Sequence, residues 1–567
     1  MVNAQDNRSR KNFRRNSLLQ FAALLVLLVL INIIASFLFL RIDLTSEKRY
    51  SLSSETKTRL LNLKDVVYVK VYLEGDLPPA YNRLRNAVKE MLDEFRVYAG
   101  DNLEYEFIDP SASPDEAERN KLYQQLAHYG IQPTNVREKG KGETTQKIIF
   151  PGALLNYQGK ELALQLLKSQ IQMEAEEMVN NSTEGLEYEF MNALRKINTD
   201  FRKKIAFLQG QGELNTMQLT DAARSLSDAY EVDTVVINGN LSALKNYKAL
   251  VIARPDSAFK ERDKFIIDQF IMNGGKVFWL LDQMQIDMDS LSADNTNVAV
   301  AMDLNLDDQL FRYGARVNYN LVMDNQAALI PIVTGYVGNQ AQQNLFPWYF
   351  YPLVNPNSLH PIVHNLNAIK FEFASTVDTV EAPGIRKTIL LTTSELAKEQ
   401  MAPVRVSLNI LQHEPDMRAF SDKHMPLAVL LEGSFSSNFR NRIPESIAQS
   451  PEIKFKDTGI PSRMIVVSDG NMIESYVSKK GKIFPLGYDR FTGLTYGNRN
   501  FFLNGMDYLL DESGLMTLRT KEFRIRLLDK NKSAEPWVKW VNLLAPVGII
   551  SLFGLTGYLV RRKKYFS

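Results

Sequence analysis

ALVIARPDSAFKERDKFIIDQFIMNGGKVFWLLD, residues 249 to 282, reads as a strand, a helix and a second strand. ALVIA and KVFWLL are short continuous apolar runs, the pattern of strands buried on both faces. Between them Phe265, Ile266, Gln269 and Phe270 share one helical face. Asp256 or Ser257 is placed to cap that helix, and Gly274-Gly275 to end it. Strand, helix and strand at this spacing make a right-handed parallel crossover. Further apolar runs at 205–208 and 234–237 extend the pattern. The expected fold is therefore α/β, with parallel or mixed sheets flanked by helices and, in this part, a doubly wound sheet of three layers.

Outward from this unit the chain divides. DVVYVKVYLEG (65–75) reads as a strand, 82–98 as a helix with Leu84, Val88, Met91, Leu92 and Phe95 on one stripe, and LEYEFIDP (103–110) as a strand. These form a second βαβ unit, in a first α/β domain over 42–160. A further helix is expected around 117–129. TTQKIIFPGALLNYQGK (144–160) is expected as a strand pair that turns near Pro151-Gly152 and is closed by Gln158-Gly159. A helical connector, 161–206, leads to a large α/β domain over 207–510. That domain contains a polar excursion at 284–345 and later strands at 388–392, 404–411, 427–431 and 464–467. FPWYFYPLVNP (346–356) is either an exposed recognition loop or a strand that packs Phe346, Trp348 and Phe350. A charged membrane-proximal segment, 511–539, follows.

Two apolar stretches, 18–40 and 541–560, lie near the ends. At about 1.5 Å rise per residue each is long enough to cross a bilayer core of about 30 Å. Arg8, Arg10, Lys11, Arg14 and Arg15 precede the first, and Arg561, Arg562, Lys563 and Lys564 follow the second. Basic flanks of this kind put both tails, 1–17 and 561–567, in the cytoplasm. The expectation is a two-pass protein of the bacterial inner membrane with a periplasmic body. The first stretch exceeds the ~7–15 apolar residues of a cleaved signal and lacks a small-x-small site, so it reads as an anchor.

The chain has no cysteine, which excludes a lipid-modified cysteine, disulfides and thiolate chemistry. The formal charge is +2, but the tails hold nine basic residues and one acid, Asp6, so the body is mildly acidic. It offers no electrostatic footprint for nucleic acid.

Chemical signatures are sparse. Neither a G-x-x-x-x-G-K-[ST] loop nor a G-x-S-x-G elbow occurs, and His360 and His364 lack the context of a metal site. No catalytic, cofactor-binding or metal residue is expected. The positional hints are polar residues at strand ends: Asn238 after TVVI, Arg254 after LVIA, Asp282 after KVFWLL and Asp469 after MIVVS. Open α/β sheets bind ligands there, although Asp and Asn also begin turns at such places. In the membrane stretches, Asn32 is a lone amide that favours a partner helix. Gly548, Ser551, Gly554 and Gly557 form a small-residue stripe that drifts around its helix.

LTSEKRYSLSSETK after the first apolar stretch, VYLEGDLPPAYNRL, YEFIDP, the 249–282 unit, LVNPNSLHPIV and NRNFFLNGMDYLLDESGL with LRTKEFRIRLLDK span nearly the whole chain. In these the sequence resembles the gliding-motility-associated ABC transporter component G family of Bacteroidota. The resemblance implies a non-catalytic auxiliary subunit that works with a multi-pass permease and a separate cytoplasmic ATPase, linked to gliding. The central part is similar to the auxiliary domain of uncharacterised ABC systems, whose sheet resembles class I glutamine amidotransferases. Their nucleophilic cysteine has no counterpart here. The alternative reading is a periplasmic scaffold or adaptor for envelope or secretion machinery that transports nothing itself.

Overall fold

The computed structural model describes residues 19–30, 51–139, 144–168, 173–198, 202–289, 291, 295–338, 340–412, 416–443, 455–520 and 536–565. By its contacts the chain forms two units, one of residues 52–521 and one of the two ends.

The larger unit holds a seven-stranded sheet. Its order is Ile385–Thr392, Pro426–Gly433, Ser462–Val467, Lys276–Leu280, Ala249–Ala253, Lys204–Gln209, Glu231–Val236. The last five strands are parallel, and the first two extend the sheet antiparallel. Taken in chain order, the parallel strands run 2-1-3-4-5, the flavodoxin-like doubly wound arrangement. Burial on both faces is explicit in the side chains. Phe207, Val251, Phe278 and Leu280 enter one core, while Ala206, Leu208, Leu250, Ile252, Val277 and Trp279 enter the other. Helices Thr220–Ser227 and Asn498–Leu510 supply Ala222, Leu226, Phe501, Phe502 and Met506 to the first core. Helices Glu261–Met272 and Asp307–Tyr313 supply Ile266, Ile267, Ile271, Leu310 and Tyr313 to the second.

Helix Glu261–Met272 starts later than expected, with Lys260 at its N-cap. Asp256 and Ser257 lie too far before it to cap it, in a loop where both donate their backbone N–H groups to the carbonyl of Gln211, at 2.9 and 3.2 Å. At its far end Gly274 takes φ of 88°, the left-handed turn that a side chain would resist.

The N-terminal part of the same unit has a four-stranded sheet in the order Leu103–Phe107, Val67–Val71, Gly152–Tyr157, Lys160–Gln165. The first two strands are parallel and joined by helix Pro79–Ala99, the crossover read from the sequence. Strand 144–149 does not pair with 152–157, as the sequence reading had it. It pairs with Thr134–Lys139, and Gly152–Tyr157 pairs with Val67–Val71 and Lys160–Gln165. The hairpin turn is Gln158-Gly159, both at positive φ (51° and 74°), which matches the twist of the flanking strands.

The helical connector begins later than residue 161, since Lys160–Gln165 is a strand; helices Ala175–Glu184 and Leu186–Asn198 follow. Nor is all of 511–539 a separate segment. Leu515, Met516 and Leu518 are buried in the core formed by the N-terminal sheet and its helices. Apolar residues at 515, 516 and 518 give that turn a reason to fold back.

The excursion after 284 is larger than expected. Strands Met284–Gln285, Thr296–Ala301 and Val404–Ser407 form one small sheet, and Ala327–Val337, Gln340–Val354 and Ile369–Lys370 another. Trp348 and Phe350 are buried in a separate core with Leu321, Ile330 and Val406, so the aromatic run is a strand rather than an exposed loop. Phe346 is only half-buried.

In the unit of the two ends, helix Pro536–Tyr565 contains a 21-residue apolar stretch, Trp540–Val560, long enough to cross a membrane. Leu19–Leu30 is a shorter apolar helix. The expected first span is therefore seen only in part, and Asn32 lies outside the described residues. Along the C-terminal helix a Cβ added at Gly548, Gly554 or Gly557 would meet nothing within 4 Å. The Ser551 hydroxyl donates to the Val547 carbonyl at 2.8 Å.

Candidate functional site

Parallel strands in one sheet present their carboxyl ends on one side. Strand Lys276–Leu280 lies between Ser462–Val467 and Ala249–Ala253, so the residues that follow these three must converge. Arg254, Asp282 and Asp469 do so. The Asp282 carboxylate accepts the Gly470 N–H at 2.7 Å, and the Arg254 guanidinium donates to Asn471 Oδ1 at 2.7 Å. Arg254 and Asp469 line a cavity of about 360 Å³, with Asp282 behind Gly470. Asn238 is not part of it. Its strand, Glu231–Val236, is the outer edge of the sheet, and Asn238 sits exposed in a left-handed turn there (φ 39°).

The opposite wall comes from residues that strand ends could not reveal. Glu372 donates its N–H to Asp469 Oδ2 at 2.8 Å, and Asn471 does the same to Oδ1 at 2.8 Å. Lys370 Nζ pairs with Glu372 at 2.8 Å and with Asp489 at 3.2 Å, and lies 5.0 Å from the Tyr351 ring centre. Asn498, at the start of helix Asn498–Leu510, clamps the Lys370 backbone from both sides, accepting its N–H at 3.0 Å and donating to its carbonyl at 2.8 Å. Arg254 also reaches Glu474 at 3.3 Å, and Gln218 donates to the other oxygen of Glu474 at 2.8 Å.

Backbone geometry marks the same place. Among the described residues, four with positive φ are neither glycine nor asparagine: Gln158, Arg254, Phe373 and His424. Two of them, Arg254 (53°) and Phe373 (53°), line this cavity. A conformation of this kind costs about 1–3 kcal/mol and persists where the surroundings over-determine it, which happens often at binding sites. Gly470 shows how tightly Arg254 is held. A Cβ there would stand 2.6 Å from Arg254 Cβ and 2.9 Å from its Cα, so only glycine fits.

The electrostatics are those of crowded carboxylates. Burial pushes Asp469 well above the usual carboxylate range, and the neighbouring Asp282 adds repulsion. Burial likewise raises Asp282, to about 6, against the Gly470 N–H and the charge of Arg254. Burial also raises Glu474, with Glu372 and Asp289 adding to it. Lys370 moves the other way. Burial works against its charge, but Glu372 and Asp489 hold its ammonium protonated well above the ordinary value. Such a set of groups can hold a polar ligand by ion pairs and hydrogen bonds. Among the described residues no group of three or more histidines or acids is arranged to bind a metal ion.

The sequence matches the family described as an ABC-type uncharacterized transport system over residues 202–505, a span that takes in the whole lining of this cavity. Residues 46–156 match a domain of unknown function, DUF7088. An uncharacterized protein of Borreliella burgdorferi is 21% identical over 566 residues, covering 97% of this chain and 99% of its own. A solved structure, the mmIFT52 N-terminal domain, covers 54% of this chain and 97% of its own at 13% identity. Its TM-score of 0.30 is too low to support any inference.

Proposed function

The chain belongs to the ABC-type uncharacterized transport system family, as an ABC-transporter auxiliary protein, and on that premise we propose that it is a non-catalytic recognition subunit. Its body binds a ligand or partner in the cavity at the carboxyl ends of the parallel strands. A multi-pass permease and a separate cytoplasmic ATPase do the moving. The observation that carries the reading is the coincidence of the family match with the cavity: every lining residue, from Gln218 to Asn498, falls inside the matched span. We assign the complex to the gliding-motility type on the sequence resemblance.

Recovery of partners from mild detergent tests this. The expected result is that the full chain brings down a permease and an ATPase. Gly554→Leu, which enlarges the small-residue stripe, should reduce the recovery of the permease without lowering the melting temperature of the body. Recovery of envelope proteins alone would replace the transport role with that of a scaffold.

The proposed topology is two crossings of the inner membrane, both tails cytoplasmic and the body periplasmic. Since the chain has no cysteine, single substitutions report cleanly. In sealed spheroplasts an impermeant thiol reagent should label Ser242→Cys, at an exposed position of the body, and spare Ser9→Cys and Ser567→Cys. Labelling at Ser9→Cys overturns the arrangement.

A further inference from the structure

We propose that the chain pairs with a second copy of itself, edge to edge, through a strand ribbon that leaves the body between Pro331 and Pro347. The contact does not depend on the recognition role proposed above. Strands Ala327–Val337 and Gln340–Val354 form an antiparallel pair that runs out to Val337 opposite Gln340. Its base is anchored, with Ile330 and Trp348 fully buried. Beyond the base the ribbon has no core. Val333, Thr334 and Tyr336 on one strand, and every residue from 341 to 345 on the other, are exposed. Successive side chains of a strand point to opposite faces, so both faces of the ribbon meet solvent. A two-stranded ribbon with neither a third strand nor a packed face is marginal in water.

Both edges of the ribbon are open. Among the described residues, Ala327–Val337 pairs with Gln340–Val354 alone, and Gln340–Val354 gains a third strand only at Leu353 and Val354. Open edges are ordinarily blunted by charge, lysine above all. Another two-stranded ribbon of this chain follows that rule: the sequence of Thr134–Lys139 and Thr144–Ile149 includes Arg137, Glu138, Lys139 and Lys147. The 327–354 ribbon does not. Residues 325 to 369 contain no Asp, Glu, Lys or Arg, although 23% of the chain is charged.

That neutrality selects the occupant. In a two-fold contact each edge meets its own copy, so a charged edge repels itself and an uncharged one does not. A charged partner finds no complement here. A lipid surface does not fit either, because the amides of Gln342, Gln343 and Asn344 would have to give up water. A second copy brings the same unpaired N–H and C=O groups, and pairing satisfies both edges at once. The pairing edge is 332–337, where Ile332, Val333, Thr334 and Tyr336 favour a strand; the opposite edge is mostly Gln, Ala and Asn. Pro331 has no N–H and stops the pairing toward the base. Antiparallel pairing of two such edges about an axis near Thr334 makes one continuous four-stranded sheet.

Sedimentation of the full chain in mild detergent tests this. A contact this short is smaller than a standard interface, so a dimer with a dissociation constant on the order of 10 μM is expected. Val333→Lys combined with Tyr336→Lys should weaken that dimer about tenfold or more. The melting temperature should not change, because both side chains are exposed. Since the chain has no cysteine, a short bis-maleimide should join Thr334→Cys to its copy. Gln343→Cys should not be joined, because its two copies would stand about 14 Å apart on the outer strands of the four. A chain that stays monomeric up to about 100 μM would overturn the proposal. So would a dimer indifferent to the two lysines, or linking through Gln343→Cys but not through Thr334→Cys. A lysine variant of a monomeric chain that loses the permease would give the ribbon to that partner and equally overturn self-pairing.

Discussion

Arg195→Met is expected to destabilise the body by about 3 kcal/mol, the cost of leaving a buried carboxylate without its hydrogen-bonded cation. Arg195, on helix Leu186–Asn198, donates to Asp507 Oδ1 at 2.9 Å, and Tyr230 donates to the same oxygen at 2.6 Å. Asp507 is 7% exposed. Burial opposes its charge, but Lys196 and Arg195 outweigh burial and hold the carboxyl below its ordinary value. The pair therefore tethers the helix after the N-terminal sheet to helix Asn498–Leu510, whose first residue, Asn498, builds the cavity wall through Lys370. Thermal melting of the full chain in mild detergent measures the loss. Adding Asp507→Asn to Arg195→Met should restore about half of it, because the uncompensated charge is then gone. A single variant that melts within about 1 kcal/mol of the parent would show that the pair is not a tether.

How far the sequence revealed this architecture depended on whether a signal was local. The 249–282 unit was legible because ALVIA and KVFWLL must bury both faces, and their alternate residues do enter two cores. What lies beside what was not legible. Residues 144–149 and 152–157 are adjacent in the chain yet join different sheets, and the turn at Pro151-Gly152 looks the same in either arrangement. Leu515, Met516 and Leu518 were lost in a charged context, although their apolar character is what returns them to the N-terminal core.

The site divided in the same way. Arg254, Asp282 and Asp469 were found by a rule about strand ends, and they meet because their strands are neighbours. Asn238 satisfied the same rule and lies apart, since strand order decides which ends converge. Lys370, Glu372 and Phe373 follow no strand of the large sheet, and nothing local marks Phe373 for a left-handed backbone. A run of charged and aromatic residues at 369–373 was the available signal, but it had no partner until the fold supplied Asp469 and Asp489.

The stability of the body should fall as pH rises through about 6, and Asp282→Asn should remove the part of that fall that Asp282 causes. Asp282 and Asp469 both bind a proton more tightly in the folded protein than an exposed carboxyl does, burial being the first cause in each and mutual repulsion an added one for Asp469. A raised folded-state value means that the native state binds more protons than the unfolded chain between the two values. Stability is then fully present below about 4, the unfolded value, and lost as pH climbs past the folded one. The shift of Asp282 to about 6 makes the loss on the order of 3 kcal/mol by pH 8. Asparagine keeps an oxygen for the Gly470 N–H, cannot ionise, and lowers the repulsion on Asp469. Melting of parent and variant between pH 4 and 8 should therefore show near-equal stability at the acid end and a more stable variant at pH 8. If Asp282→Asn were instead destabilised equally at both ends, Asp282 would be only a turn residue.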